Sequence, residues 1–468
     1  MKKRFDVNAS AGETLLEAMK RAGLAVSAPC GGSGICGGCA VKVEGAFSVP
    51  DDDEAVLLGS LLKRGYRLAC RARTFGDFCV YLDDNRTEQD EVAGEKLTAV
   101  ADIGTTVISV RIFENGTKKI LRECSEPNRQ MIYGSDVLTR ICSSDDGHLD
   151  ELTQTVRDQL SRMTAGADID KCFCVGNTTM LCFLAGVDPS SIGIAPYNMP
   201  EAFGRWIGRE ETGLGFDIYA GRCASAFVGA DAVAAAIAAE RSGLFEKGTV
   251  LCDLGTNGEI VLNTGDGYLC TATACGPAFE GVGLACGGKA GDGAISHFWL
   301  DNGEIKHSVI GEGKPDRICG SGIIDLCACL LKTGRIKPEG NMDSEFLAAP
   351  DIVFTPSDVR KIQLAKSAVM TSLLMLEKHS GIKIKRIIVT GKLGENLNEE
   401  SAKAIGLLTD GCEIVFMSEL ALAGAGLLCG NERLVHDMID RCTVVNFGGD
   451  ELYTDMYIDN VSFPDLQR

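Results

Sequence analysis

Short apolar blocks, separated by glycine and polar punctuation, run the length of this chain, and one arrangement of them occurs twice. From Val100 to Ile112 the chain reads VADIGTTVISVRI, an apolar run ending in Asp102, a turn through Gly104-Thr105-Thr106, then a β-branched run. From Val250 to Val261 it reads VLCDLGTNGEIV, with Asp253, Gly255 and Thr256 in the places of Asp102, Gly104 and Thr105. Each block predicts a β-hairpin. A repeat about 150 residues on predicts two similar α/β halves with a cleft between them. Between the hairpins, Leu152 to Met163 has a helical apolar pattern. The strand Cys172 to Val175 ends in Gly176-Asn177-Thr178-Thr179, and a helix follows. That loop is either a phosphate-sized site or an ordinary cap. The Ala-rich helix with Gly229 and Asp231 near its start reads as core packing.

After the second hairpin the glycine-dense stretch TATACGPAFEGVGLACGGKAGDGAI predicts a mobile or tightly packed loop, and Gly320-Ser321-Gly322 falls at a helix N-terminus with Asp325 one turn in. Thr355, Pro356, Asp358 and Gly381 read as N-cap, first-turn proline, capping-box acid and stop of a helix of about 25 residues. A strand then ends in Thr390-Gly391, with Gly394 beyond, and ELALAGAGLLCG is the expected closing helix. The acidic last thirty residues are expected to pack back or mediate dimer contacts. At the other end, KRFDV predicts a strand, Ser10 to Glu13 a capping box, and TLLEAMKRAG a helix stopped at Gly23. The expected divisions are 1–83, a polar linker 84–96, a first lobe 97–245, a second lobe 246–430 and a C-terminal segment 431–468.

The turns suggest chemistry. Free backbone N–H groups meet phosphate oxygens, and a carboxylate beside them holds Mg²⁺ through water. Asp102 and Asp253 are the expected metal-linked carboxylates, with Glu259 as a further one. Gly104, Thr105, Thr106, Gly255, Thr256 and Asn257 are the expected phosphate contacts, and Gly320, Ser321 and Gly322 a further nucleotide contact. Two unrelated Asp-Gly turns are the rival explanation; the shared flanking strands favour a true repeat. The duplicated hairpin resembles that of the actin, sugar-kinase and heat-shock-ATPase superfamily. The resemblance implies two RNase H-like lobes and an adenosine site at Gly391 and Gly394.

Composition narrows the setting. The chain has 468 residues, 45% apolar and 24% charged, enough for two to four domains of a globular protein. A net charge of −19 argues against nucleic acid, which demands a basic face. No apolar run approaches the ~20 residues of a membrane span, and MKKRF is followed at once by Asp6 and Asn8, so a cytoplasmic protein is expected. Twenty-one cysteines in such a chain suggest reduced thiols and a metal cluster, in keeping with an anaerobe.

Cys30, Cys36 and Cys39 stand in C-x5-C-x2-C spacing among glycines, and Cys70 follows in RLACRAR. Three clustered cysteines and one distant one form the ferredoxin pattern for a [2Fe–2S] centre, with one residue more than the plant spacing. Zinc is the main rival, although zinc sites favour paired knuckles. The strand-helix-loop order resembles a β-grasp ferredoxin. Cys79 reads as a core residue. Arg67, Arg71 and Arg73 read as a patch for an acidic partner or a solvated turn, and the paired cysteines of the body as buried small residues.

A ferredoxin followed by duplicated hairpins, with GNTTM, DLGTNGE, CGPAFEG and CGSGIID in that order, resembles the ATP-dependent reductive activators of corrinoid proteins. The resemblance spans nearly the whole chain. It implies ATP, Mg²⁺ and a [2Fe–2S] cluster, and an electron passed to Co(II) of a corrinoid protein of a methyltransferase system to give Co(I). Reduced ferredoxin or flavodoxin is the implied donor and a homodimer the implied assembly. Two departures stand out. Gly391-Lys392-Leu393-Gly394 replaces the Gly-Gly-Phe-Gly of the family, and the chain is expected to lack the middle domain of longer members. A small-molecule kinase, an activator of a radical dehydratase and a plain electron carrier are the rival functions.

Overall fold

The structure is a computed structural model that describes residues 2–22, 24, 34, 39–83, 96–115, 119–134, 136–255, 258–281, 283–394 and 396–466. Four expected site residues, Cys30, Cys36, Thr256 and Asn257, lie outside these, as does nearly all of the expected linker. The chain forms two units, Met1–Leu244 with Glu419–Asp440, and Phe245–Ser418 with Arg441–Arg468.

The first unit begins with a four-stranded sheet made of β1 (Lys2–Val7), β2 (Ala40–Glu44), β3 (Tyr66–Leu68) and β4 (Phe78–Asp83) in the order β1-β4-β2-β3. The helices Leu15–Arg21 and Asp52–Leu58 accompany it, and Leu15, Met19, Val41, Leu58, Leu68 and Val80 share its core. The first of these helices starts at Leu15, one residue inside the expected TLLEAMKRAG. Thr14 and Glu17 repeat the spacing of Ser10 and Glu13, and Thr14 exchanges hydrogen bonds with Glu17 at the helix start. Glu13 accepts from Ser10 N at 3.1 Å, as the expected box requires, and also pairs with Arg21 at 2.7 Å. Cys79 is not core: Phe78 and Val80 point inward, and the alternation of the strand sends Cys79 outward to Asp6, 2.8 Å away.

The rest of the first unit is a six-stranded sheet, β5 (Leu97–Ile103), β6 (Val107–Glu114), β7 (Ile120–Pro127), β8 (Ile169–Gly176), β9 (Arg205–Ile207) and β10 (Asp217–Ala220), in the order β7-β6-β5-β8-β10-β9. β5, β6 and β7 form a meander, while β8 and β10 add in parallel beside β5. The helix Ala230–Arg241 is apolar on nearly every side, and its alanines let a second helix approach closely. That second helix is Leu420–Leu428. It was expected to close the second lobe, but it returns to the first unit. A Cβ at Gly424 would overlap the Ala234 carbonyl, so only glycine allows this contact. Just before it, Glu419 adopts a left-handed conformation and offers its carboxylate to the buried Arg111, which also binds Glu123 at 2.7 Å.

The second unit repeats the plan. β11 (Thr249–Leu254), β12 (Gly258–Asn263) and β13 (Tyr268–Thr273) form the meander. A three-stranded sheet of β14 (Ala294–Asp301), β15 (Glu304–Val309) and β16 (Arg317–Ile318) and a hairpin of β17 (Phe346–Ala349) and β18 (Ile352–Phe354) follow in the chain. β19 (Arg386–Thr390) and β20 (Glu413–Phe416) then add in parallel beside β11, and β21 (Cys442–Val444) beside β13. The helix Pro356–Ser380 starts on the expected Thr355/Asp358 capping box and stops at Gly381 in the left-handed region. The C-terminal segment packs back on this helix: Gln363 donates to the Val461 carbonyl at 3.0 Å, and Asn460 to Thr371 at 3.2 Å.

Candidate functional site

In the first hairpin Asp102 ends β5 directly opposite Ser109, and Ile103 pairs with Ile108. Gly104 is needed for closeness: a Cβ there would come within 2.5 Å of the Val107 carbonyl oxygen. The turn's own carbonyls are held from behind. Buried Asn128 donates from Nδ2 to the Gly104 carbonyl at 2.9 Å, and buried Arg140 donates to the Thr105 carbonyl at 2.6 Å. Burial pulls the Arg140 guanidinium down to about 10. Neither residue stood out in the sequence; Asn128 and Arg140 lie 24 and 35 residues beyond the positions they support.

β8 runs parallel to β5 and ends beside it, Gly176 opposite Ile103. Asn177 caps the next helix by accepting from Thr179 N at 3.0 Å, while the Thr178 hydroxyl donates to the Ser225 carbonyl. Gly229 packs on this loop, where a Cβ would meet the Gly176 carbonyl at 2.6 Å. The next turn carries Asp231, whose carboxyl burial raises to about 6, although it accepts a hydrogen bond from Ala232 N at 2.8 Å. Asp102 and Asn177 thus lie at the carboxyl ends of the parallel strands β5 and β8, where open α/β sheets bind ligands, and Asp231 heads the helix that follows β10. The signal that marks Asp231 in the sequence is its place at the head of the helix, not its Ala-rich surroundings.

In the second hairpin Asp253 pairs directly with Glu259, so two carboxylates share one face of adjacent strands. On the other side Asp253 is in register with Thr390 of β19. Gly391 follows with φ +85°, and a Cβ on it would stand 2.5 Å from Asp253 Oδ1. The fold therefore brings Asp253, Glu259, Gly255 and Gly391 together, with Gly394 one turn on against Val389. Gly320, Ser321 and Gly322 are buried at the start of the helix Gly320–Lys332. Their smallness has a packing use: a Cβ on Gly320 would overlap the Phe279 carbonyl, and the Ser321 hydroxyl donates to the Ser296 carbonyl at 2.9 Å.

Of the expected cluster ligands, Cys39 and Cys70 are described, and their sulfurs are 3.2 Å apart without being bonded. Two thiols at that separation fit adjacent ligands of one metal centre. The Cys70 turn is held by an ion pair the sequence had marked as a surface patch. Buried Glu54 takes Arg67 in bidentate fashion at 2.9 and 2.8 Å and also accepts from Leu68 N at 2.8 Å. Cys172, Cys174, Cys275, Cys286, Cys327 and Cys329 are all buried, and among the described residues no three metal-ligating side chains gather.

Three family models match consecutive parts of the chain: a 2Fe-2S iron-sulfur cluster binding domain over residues 2–74, the RACo middle region over 97–242, and the C-terminal domain of RACo, the ASKHA domain, over 247–468. The corrinoid activation enzyme RamQ of Eubacterium limosum is 30% identical over 417 residues, covering 78% of this chain and 70% of that one. The [Co(II) methylated amine-specific corrinoid protein] reductase of Methanosarcina barkeri is 30% identical over 208 residues, 38% of each chain. A solved structure titled reductive activator for corrinoid, iron-sulfur protein superposes with a TM-score of 0.71 at 22% identity, over 97% of this chain and 96% of that one. The chain belongs to the family of reductive activators of corrinoid proteins. One expectation is overturned: the middle region is present, and it is the segment read from the sequence as a first lobe. Its β5–β6 hairpin carries the same motif as the second unit, so the pattern alone did not separate it from the ATPase domain.

Proposed function

We infer that this chain is an ATP-hydrolysing activase that passes one electron to Co(II) of a partner corrinoid protein, yielding the Co(I) needed for methyl transfer. The observation that carries this reading is the presence in one family member of two cysteine sulfurs 3.2 Å apart and a duplicated Asp-Gly hairpin. Cys39 and Cys70, with Cys30 and Cys36, would hold a [2Fe–2S] cluster, which when bound supplies a one-electron couple.

The nucleotide roles are assigned by chemistry. Asp253 and Glu259 fit Mg²⁺, because two carboxylates in direct cross-strand register present oxygen ligands suited to one hard cation. Gly255, with Thr256 and Asn257, would offer backbone N–H groups to phosphate. Gly391, which the Asp253 carboxylate approaches too closely for any side chain, and Gly394 would take the adenosine moiety, while Gly320, Ser321 and Gly322 act as packing support for that side. At the first turn Asp102, Gly104, Thr105 and Thr106 offer the same combination, with the turn held rigid by Asn128 and Arg140.

The energetics require a nucleotide. A plant-type centre lies near roughly −400 mV, and each 59 mV of shortfall costs about tenfold in a one-electron equilibrium. ATP closes that gap only by favouring a complex in which the cobalt or the cluster potential shifts, for which loss of a cobalt ligand on docking is one route. A reduced ferredoxin or flavodoxin as donor, a homodimer and a cytoplasmic setting belong to the same reading. The unbonded thiols support a reducing compartment. The test is anaerobic mixing of reduced protein with a Co(II) corrinoid protein, with and without ATP. Growth of the Co(I) absorption band only with ATP is expected, and its loss in Cys70→Ser with ATP hydrolysis retained. A zinc-loaded protein, or equal reduction without nucleotide, overturns the reading.

A further inference from the structure

Arg71 follows Cys70 in the chain and spends every arm of its guanidinium on a fixed partner. Nη1 donates to the Gly34 carbonyl at 3.1 Å, Nε to Asp51 at 3.0 Å and Nη2 to Asp53 at 3.1 Å. Gly34 belongs to the stretch between Cys30 and Cys36 and has φ +78°; a Cβ there would come 2.7 Å from Nη1. The guanidinium is thus fixed beside Cys70 and tied to the Gly34 carbonyl. Its neighbours have other uses, Arg67 being neutralised by Glu54 and Arg73 donating to the Gly12 carbonyl at 2.7 Å.

We propose that the Arg71–Asp51–Asp53 trio sets the reduction potential of the cluster, Arg71 acting as a positioning and field-setting residue, an inference that rests on the [2Fe–2S] reading above. Reduction would add one negative charge to a cluster held by Cys39 and Cys70, the latter next to Arg71 in the chain. A fixed cation there stabilises the reduced form, while the two carboxylates behind it oppose this. The trio carries a net negative charge, which keeps the centre a strong reductant, and Arg71 limits how far the potential falls. A planar fork is needed because one group must reach a carbonyl and two carboxylates at once.

The experiment is an anaerobic dye-equilibrium titration of the full chain, followed by the electron-paramagnetic signal of the reduced centre, with iron content and visible spectrum measured alongside. Arg71→Gln keeps a donor for Gly34 but loses the charge. Its reduced fraction against a reference dye should fall about tenfold, a shift of about −59 mV. Arg71→Lys should shift by less than a third of that. Asp53→Asn, which alters only a half-exposed side chain, should shift in the opposite direction. Unchanged potentials in Arg71→Gln and Asp53→Asn at full iron content overturn the inference. If Arg71→Gln fails to retain iron, Asp53→Asn alone decides. A parent protein without iron defeats the cluster reading itself, an outcome the iron assay separates from the first.

Discussion

Asp253 and Glu259 face each other across the β11–β12 pair, where the other hairpin has Asp102 facing Ser109. The asymmetry gives the second hairpin two negative charges on one face. Glu259→Gln should therefore reduce the stabilisation gained from Mg-ATP. Thermal unfolding with and without Mg-ATP checks this, and a variant protected by Mg-ATP as strongly as the parent refutes the metal assignment.

Gly391→Ala places a methyl group 2.5 Å from Asp253 Oδ1 at a left-handed backbone position. The conformation alone costs roughly 1–2 kcal/mol, and the carboxylate must move as well. ATP affinity should fall at least about tenfold, which corresponds to ~1.4 kcal/mol. Equilibrium binding of a fluorescent ATP analogue reads this directly, and unaltered binding would remove Gly391 from the nucleotide site.

Gly424→Ala tests the returning helix. Its Cβ would overlap the Ala234 carbonyl, and overpacking of this kind costs roughly 1–3 kcal/mol. Urea unfolding of the full chain should show a lower midpoint with the slope unchanged. A midpoint equal to the parent's means that the two helices separate without cost.

The buried thiols predict an alkaline limit. Burial pushes Cys223, Cys275 and Cys286 up to about 12, and Cys182 and Cys327 higher still, from an ordinary value of 9.0. The folded state keeps these protons and the unfolded chain loses them, so the stabilisation is complete below pH 9 and disappears as pH climbs toward 12. Each thiol costs about 1.4 kcal/mol per pH unit in that window, so the first three alone cost ~4 kcal/mol per unit. Lys366 works the other way: burial lowers its ammonium to about 8 from 10.5, which favours folding as pH rises between those values. One lysine does not offset several thiols. Urea midpoints under reducing conditions should fall steeply between pH 9 and 10.5; a flat profile would mean the thiols are accessible to solvent when folded.

Local chemistry was readable wherever it was complete within a few residues. Thr355 and Asp358 announce their helix because both halves of the cap are three residues apart, and each Asp-Gly hairpin contains its own turn and flanking strands. Contacts made at long range were not readable. The Ala-rich helix and the Leu420–Leu428 helix each look like generic core, and the match between Ala234 and Gly424 exists only after folding. Arg67 looked solvated because its partner, Glu54, sits thirteen residues earlier. Asn128 and Arg140 support a turn more than twenty residues upstream through backbone carbonyls, which carry no side-chain signature. The middle region was misassigned for a related reason: one motif serves both halves, and family boundaries are not a physical property of the motif.

The return of residues 419–440 to the first unit means that neither unit is a continuous stretch of polypeptide. A gene truncated after codon 244 would encode a first unit stripped of the helix that covers Ala234, and a fragment beginning at 245 would carry that helix as an unmatched passenger. Exchange of either unit between relatives therefore requires crossovers that respect the same insertion points, so natural recombination is expected to transmit the body whole.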